Sequence, residues 1–280
     1  MIPSQVNFHK PNSLSEALDL LGGNQDAKLL AGGHSLIPLM KLRLNEPDSV
    51  ISIGNLEELR GISDSDGSFR IGAGTTHSEI AMHQGLRQVL PVITQAAASI
   101  GDIQVRNFGT IGGSIAHADP AADWPGALLA SGATLELASQ SGQRKVAASD
   151  FFQGFFSTAL NGDEIITAII ITKPPAGTRS GYLKFAQPAS RFAIVGCAAL
   201  VSGDPIAEIA VAFNGVSDTP FRDAGIEGAL KGKTLSEEAI AKAASMAADG
   251  RDILSDHHAS SAYRHHLAKI YAKRTLNSLM

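Results

Sequence analysis

Two glycine pairs constrain this chain more than any other feature: Ala31-Gly32-Gly33-His34-Ser35 near the start, and Thr110-Ile111-Gly112-Gly113-Ser114 further on. Each follows an apolar or extended stretch and ends in a small hydroxyl residue. Adjacent glycines let a backbone turn tightly and bring its N–H groups against an anion. One such loop is usually only a turn. Two of them in 280 residues suggest a pair of jaws closing on a diphosphate, which is the chemistry of a dinucleotide cofactor.

Other nucleotide and catalytic patterns fail on inspection. Gly72-Ala73-Gly74-Thr75-Thr76-His77 begins like a Rossmann fingerprint, but it lacks the third glycine and the acidic residue that should end a following strand. Gly228-Ala229-Leu230-Lys231-Gly232-Lys233-Thr234 resembles a phosphate loop one residue short, with Glu227 where the first glycine belongs. A solvated turn ahead of a helix capped at Ser236 is the better reading. Gly33-His34-Ser35-Leu36-Ile37 is no nucleophile elbow, because Ile37 takes the glycine position and Pro38 follows at once. His257-His258 and His265-His266 lack carboxylates at ligand spacing and read as wet helix surface. His117, Asp119 and Asp123 form a conceivable metal trio, but they stand directly behind the second glycine pair, where Asp123 has a better use.

Cys197 is the only cysteine, so the chain alone builds no disulfide, cysteine zinc site or iron–sulfur cluster. Its neighbours, Ala193 to Val201, read as a buried strand in which a thiol is a small packed hydrophobe. A net charge of −4 argues against a general nucleic-acid binder. Apolar runs such as Ile165–Ile171 fall far short of a membrane span. Met1-Ile2-Pro3-Ser4-Gln5 opens without a charged-then-apolar leader. A cytoplasmic location is the default expectation.

Periodicity and punctuation predict an α+β chain. A helix over Leu14 to Leu21 starts at the Ser13/Glu16 capping pattern and stops at Gly22-Gly23. Strands are expected at Lys28–Leu30 and Val50–Ile53, with a small helix near Leu56–Leu59. A second unit contains the strand Phe69–Gly72, helices near Ser78–Met82 and Pro91–Ser99, and a helix leading from Asp119-Pro120-Ala121-Ala122-Asp123 to about Ala130. The hairpin Thr134–Val146 and the strand Ile165–Thr172 complete it. Lys173-Pro174-Pro175-Ala176-Gly177 is the linker. Beyond it come strands near Tyr182–Phe185, Phe192–Val201 and Ile206–Phe213, the last two joined by Ser202-Gly203-Asp204-Pro205. Helices Ser236–Ala248 and Ser260–Leu279 end the chain. The expected division is a cofactor domain over 1–175, with subdomains of about 1–60 and 61–175, and a smaller domain over 176–280.

At these residues the chain resembles the flavin-binding medium subunit of molybdenum hydroxylases, most closely the carbon monoxide dehydrogenase type. The xanthine dehydrogenase flavin domain is a more distant relative. The motifs that carry the resemblance are Ala31 to Pro38, Gly109 to Asp123 and Phe192-Ala193-Ile194-Val195-Gly196, and the match covers the whole chain. It implies a two-subdomain FAD-binding domain of the PCMH or vanillyl-alcohol-oxidase type, followed by a smaller domain of antiparallel sheet plus helices. It further implies non-covalent FAD as the cofactor. Leu29, Leu30, Ala31, Gly32, Gly33, His34, Ser35 and Leu36 would wrap the diphosphate from one side. Thr110, Ile111, Gly112, Gly113 and Ser114 would close from the other. Asp123 would contact the adenosine part, Ile100 and Ile166 would pack on the cofactor, and Lys184 would sit near the flavin. Phe192 falls where an aromatic residue, often tyrosine, lies by the isoalloxazine; the residue before it, usually acidic in the family, is Arg191 here.

No catalytic side chain or metal ligand is assigned to this chain. A flavin supplies its own redox chemistry, so the protein binds, aims and tunes it. By the same resemblance, a large subunit would carry the molybdenum cofactor and a small iron–sulfur subunit two [2Fe–2S] clusters. The chain would then be one part of a dimer of heterotrimers, passing electrons from the clusters through FAD to an external acceptor. A stand-alone FAD oxidase and a non-catalytic nucleotide-binding protein are the alternatives from other classes.

Overall fold

The computed structural model describes residues 2–65 and 67–280; Met1 of the opening segment lies outside them. The chain begins with β1 (Asn7–His9), α1 (Leu14–Gly22), β2 (Ala27–Leu30), α2 (Leu36–Lys41) and β3 (Ser49–Ser52). Both β1 and β2 pair in parallel with β3. The Ser13 hydroxyl accepts from the Glu16 N–H and caps α1, while Ala17 and Leu21 face inward. The reciprocal arm of the capping pattern reaches one residue further back, since Glu16 accepts from the Asn12 N–H at 2.7 Å.

A 3-10 turn at Glu57–Leu59 leads into β4 (Ile62–Ser65) and β5 (Ser68–Gly72). Five short helices follow: α3 (His77–Met82), α4 (Gln84–Val89), α5 (Pro91–Ser99), α6 (Ile103–Phe108) and α7 (Ile111–His117). Then come α8 (Trp124–Ala130), the hairpin β6 (Thr134–Ser139) and β7 (Gly142–Ala147), α9 (Ala148–Phe151), the small pair β8 (Phe152–Gly154) and β9 (Ser157–Thr158), and β10 (Ile165–Thr172). An antiparallel five-stranded sheet forms in the order β4-β5-β10-β6-β7. Its central strand β10 reads Ile-Ile-Thr-Ala-Ile-Ile-Ile-Thr and is almost wholly buried, as a strand covered on both faces must be. The edge strand β7 carries Arg144 and Lys145 and is exposed, and edge charges of that kind discourage pairing with another chain.

The last part holds β11 (Arg179–Ala186), β12 (Ala193–Ser202), β13 (Glu208–Asn214) and β14 (Phe221–Arg222), a four-stranded antiparallel sheet. Helices α10 (Ala224–Leu230), α11 (Glu237–Ala244) and α12 (Ser261–Asn277) complete it. All ten residues of β12 are buried, because α8 lies against one face of this sheet and α12 against the other. On α12 the buried residues are Arg264, Leu267, Ala268, Tyr271, Ala272, Thr275 and Leu276, one stripe at helical spacing. Cys197 lies beneath that helix, and burial pushes its thiol up to about 12; it packs as an apolar group.

Four expectations need correction. The second glycine pair is no loop: Thr110 caps α7, and Gly112 and Gly113 lie in its first turn. The first pair runs straight into a helix, α2, despite Pro38. Gly228, expected in a solvated turn, is inside α10, so the turn is only Lys231 to Lys233. His257 and His258 sit in a bend before α12, not on a helix. Among the described residues, no helix is long and apolar enough to cross a membrane.

Candidate functional site

A cleft of about 880 Å³ opens between the parallel sheet, α2, α7, the segment after β9 and the β11–β12 turn. That volume lies near the upper end of the range for small-molecule sites, so it suits a large ligand. Every residue expected to hold the cofactor lines it except two. Ile111 is fully buried in the core. Lys184 stands behind the wall, its ammonium 2.8 Å from Asp123 Oδ2 and 2.5 Å from the Arg191 carbonyl.

The two glycine segments differ in what they can offer a ligand. After β2 the chain turns through Gly32 to Ser35, and their four N–H groups have no acceptor among the described residues. Gly32 lies so close to the Phe108–Gly109 backbone that a Cβ would fall 2.8 Å from the Gly109 Cα and collide with the Phe108 carbonyl. Glycine is therefore required there, and the two segments touch. On α7 the amides are already spent. The Ile111 N–H goes to the Thr75 carbonyl, Gly112 to the Ala73 carbonyl, Gly113 to the Thr110 hydroxyl at 3.2 Å, and Ser114 to the Thr110 carbonyl. What this segment gives the cleft is the Ser114 hydroxyl, free like that of Ser35 among the described residues, and the bare Cα of Gly113. Amides left without a protein partner beside a cleft are donors open to a ligand. Four of them on one tight turn beside a cleft form a cradle for a multiply charged anion.

Apolar walls flank the cradle, with Ile100 and Ile166 packed at the edge of the core. Phe192 and Phe156 are both 44% exposed and line the mouth. Phe156 adopts a left-handed backbone at φ 52 and its ring packs against His117, the centroids 5.1 Å apart and the planes inclined by 58°. Opposite, Glu164 is held by Arg144 through two contacts of 2.5 and 2.7 Å and accepts from the Asn161 N–H, which fixes the rim after β9. The Arg144 guanidinium keeps the Glu164 carboxyl below the usual carboxylate range.

Asp123 closes the far wall. Its Oδ1 accepts from the Tyr182 hydroxyl at 2.5 Å and its Oδ2 from Lys184 at 2.8 Å. Burial pushes this carboxyl up, and Lys184 pulls against that shift. Burial and the adjacent Asp123 raise the Tyr182 phenol well above its ordinary value, so it donates. The network joins the cleft wall to β11 of the C-terminal sheet.

His77 was missed by sequence reasoning. It is 3% exposed, borders the cleft, and its Nδ1 accepts from the Trp124 indole N–H at 3.2 Å. Burial, chiefly, lowers it to about 3, with His34 and Arg106 adding to the effect. A lone histidine after two threonines carries no signal of this. Phe156, Asn161 and Glu164 were missed as well, because nothing in their local sequence marks a cleft rim. No group of three or more His, Cys, Asp or Glu capable of holding a metal occurs among the described residues. His265 instead pairs with Asp249 at 3.0 Å.

Comparison with known proteins identifies the family. The family model described as the FAD binding domain in molybdopterin dehydrogenase matches residues 4–174. The CO dehydrogenase flavoprotein C-terminal domain matches residues 180–279. The glyceraldehyde dehydrogenase medium chain of Sulfolobus acidocaldarius is 38% identical over 100% of both chains. The carbon monoxide dehydrogenase medium chain of Hydrogenophaga pseudoflava is 37% identical, over 99% of this chain and 98% of that one. A solved structure of carbon monoxide dehydrogenase from the latter organism superposes with a TM-score of 0.95, covering 100% of this chain and 98% of that chain at 38% identity. The chain thus belongs to the family of FAD-binding flavoprotein subunits of molybdenum-dependent dehydrogenases and hydroxylases.

Proposed function

We propose that the chain is the electron-transfer subunit of a heterotrimeric molybdenum hydroxylase, holding FAD non-covalently in the cleft. The observation that carries the reading is the row of four unpartnered amides from Gly32 to Ser35 beside a cleft of about 880 Å³. Fixed backbone donors neutralise a diphosphate without mobile lysines. The hydroxyls of Ser35 and Ser114 would add hydrogen bonds. Ile100 and Ile166 would sandwich an apolar ring, Asp123 would accept from the adenosine end, and Phe192 with Phe156 would cover the mouth. Lys184 would act through Asp123 rather than by touching the cofactor. FAD supplies the redox chemistry when bound; the side chains lining the cleft hold and shield it.

On this reading residues 1–175 carry the cofactor and 176–280 brace its far wall. A small subunit with two [2Fe–2S] clusters would deliver electrons and a large subunit with the molybdenum cofactor would oxidise the substrate, the whole assembling as a dimer of heterotrimers in the cytoplasm. The relatives' substrates suggest carbon monoxide, an aldehyde or an N-heteroaromatic compound. The test uses the chain purified with its co-purifying partners and a panel of those three classes. One substrate should bleach a flavin band near roughly 450 nm, as reduction of an oxidised flavin does, while the isolated FAD-loaded chain turns over none. Turnover by the isolated chain would instead identify a stand-alone oxidase.

A further inference from the structure

His77 has a chemistry that the flavin reading leaves unused. Its ring is wedged between Trp124 and Gly109. The Trp124 indole nitrogen can only donate, so Nδ1 must present its lone pair, and a neutral imidazole then carries its proton on Nε2. Nε2 has no acceptor among the described residues, yet it is not one of the buried polar atoms sealed off without a partner. The open side is the cleft. Gly109 makes this arrangement possible: a Cβ there would lie 2.9 Å from His77 Nε2. On its other side Gly109 meets Gly32, the first residue of the amide cradle. Gly109 thus touches both the Nε2 edge of His77 and Gly32, and His77 lines the same cleft as the four free amides.

We propose that His77 is an anchoring residue for the cofactor, its Nε2–H donating a hydrogen bond to the FAD diphosphate held by Gly32 to Ser35. The proposal rests on the flavin reading. Trp124 acts as a positioning residue, because its N–H fixes which ring nitrogen holds the proton. A neutral donor suits this place. At this buried position an imidazolium would cost desolvation, and a proton on Nδ1 would displace the Trp124 N–H without adding a donor toward the cleft.

Asparagine and glutamine separate the two ends of the ring. In His77→Asn the shorter amide can still accept from Trp124 but cannot reach the Nε2 position; in His77→Gln the longer amide can place an N–H there. FAD affinity is measured by flavin titration of the deflavinated protein, alongside the ³¹P resonances of bound FAD and thermal melts. His77→Asn should weaken FAD binding about 10- to 100-fold, the worth of a hydrogen bond to a charged group, and shift a diphosphate resonance. His77→Gln should recover most of the affinity. An Asn variant that binds FAD like the parent, a Gln variant no better than Asn, or an unmoved ³¹P spectrum would each overturn the assignment. If the unsubstituted protein takes up no FAD, the flavin reading fails first.

Discussion

Replacing Gly113 with leucine should leave the fold standing and weaken the cleft's hold on flavin. The residue lies in the first turn of α7, where an L side chain is tolerated, and leucine is about 1 kcal/mol better than glycine within a helix. A Cβ at this position meets the Thr110 hydroxyl at 2.9 Å, which must shift at some cost to the cap it makes to the Gly113 N–H, and the Ala31 methyl at 3.8 Å. The rest of the leucine has one place to go, the space beside the amide cradle. Overpacking of that kind typically costs about 1–3 kcal/mol, so FAD affinity should fall roughly 5- to 150-fold. The contrast is Gly112, whose Cβ would meet the Ala73 carbonyl at 2.8 Å; substitution there should damage the protein itself. The ratio of flavin to protein absorbance, read beside a thermal melt, separates the two. Unchanged flavin content in Gly113→Leu would remove α7 from the cofactor site.

Lys184→Met, behind the cleft wall, should produce a large loss of stability. The Lys184 and Asp123 side chains are 7% and 5% exposed. Removing one partner of a buried pair typically costs about 3–5 kcal/mol, because the other charge is left uncompensated. For a chain this size that is a melting temperature lower by roughly 10 °C. The deficit should also depend on pH. Burial already holds the Asp123 carboxyl above its ordinary range, and Lys184 opposes the shift; without the lysine it rises further. A carboxyl raised in the folded state favours folding while both states are protonated, below the unfolded value near roughly 4, and that contribution is lost as pH climbs through the raised folded value. Melts at pH 5 and pH 8 should show the larger deficit at pH 8. Equal deficits would mean that Asp123 does not need its charged partner, and Asp123→Asn combined with Lys184→Met should recover part of the loss.

Much of this site was legible because its chemistry is backbone chemistry. Gly32-Gly33 before a small hydroxyl residue marks a turn with exposed amides, and the structure has those amides without partners. The same pattern misled at Gly112-Gly113. Paired glycines disfavour a helix, but the Thr110 cap and the amide bonds to Ala73 and Thr75 hold one there. Its glycines serve close packing and open space, a distinction no local pattern records. Ile111 was grouped with its neighbours by adjacency, although a helical turn points it into the core. Long strands such as β10 and β12 were readable from unbroken apolar runs. The six-residue helices α2, α4 and α6 were not, since so short a segment hardly completes one period. His77 and Phe156 owe their roles to partners 47 residues away for the one and to a strained hairpin tip for the other, so only the folded chain brings them to the cleft.

The most direct test of the account is the cofactor itself. The protein, purified with its partner chains, is denatured by heat, and the released small molecules are identified and counted against the chain. The account predicts one FAD per chain, all of it freed without proteolysis and none left covalently attached. A colourless chain that releases no FAD, and takes none up when the cofactor is offered, would contradict it.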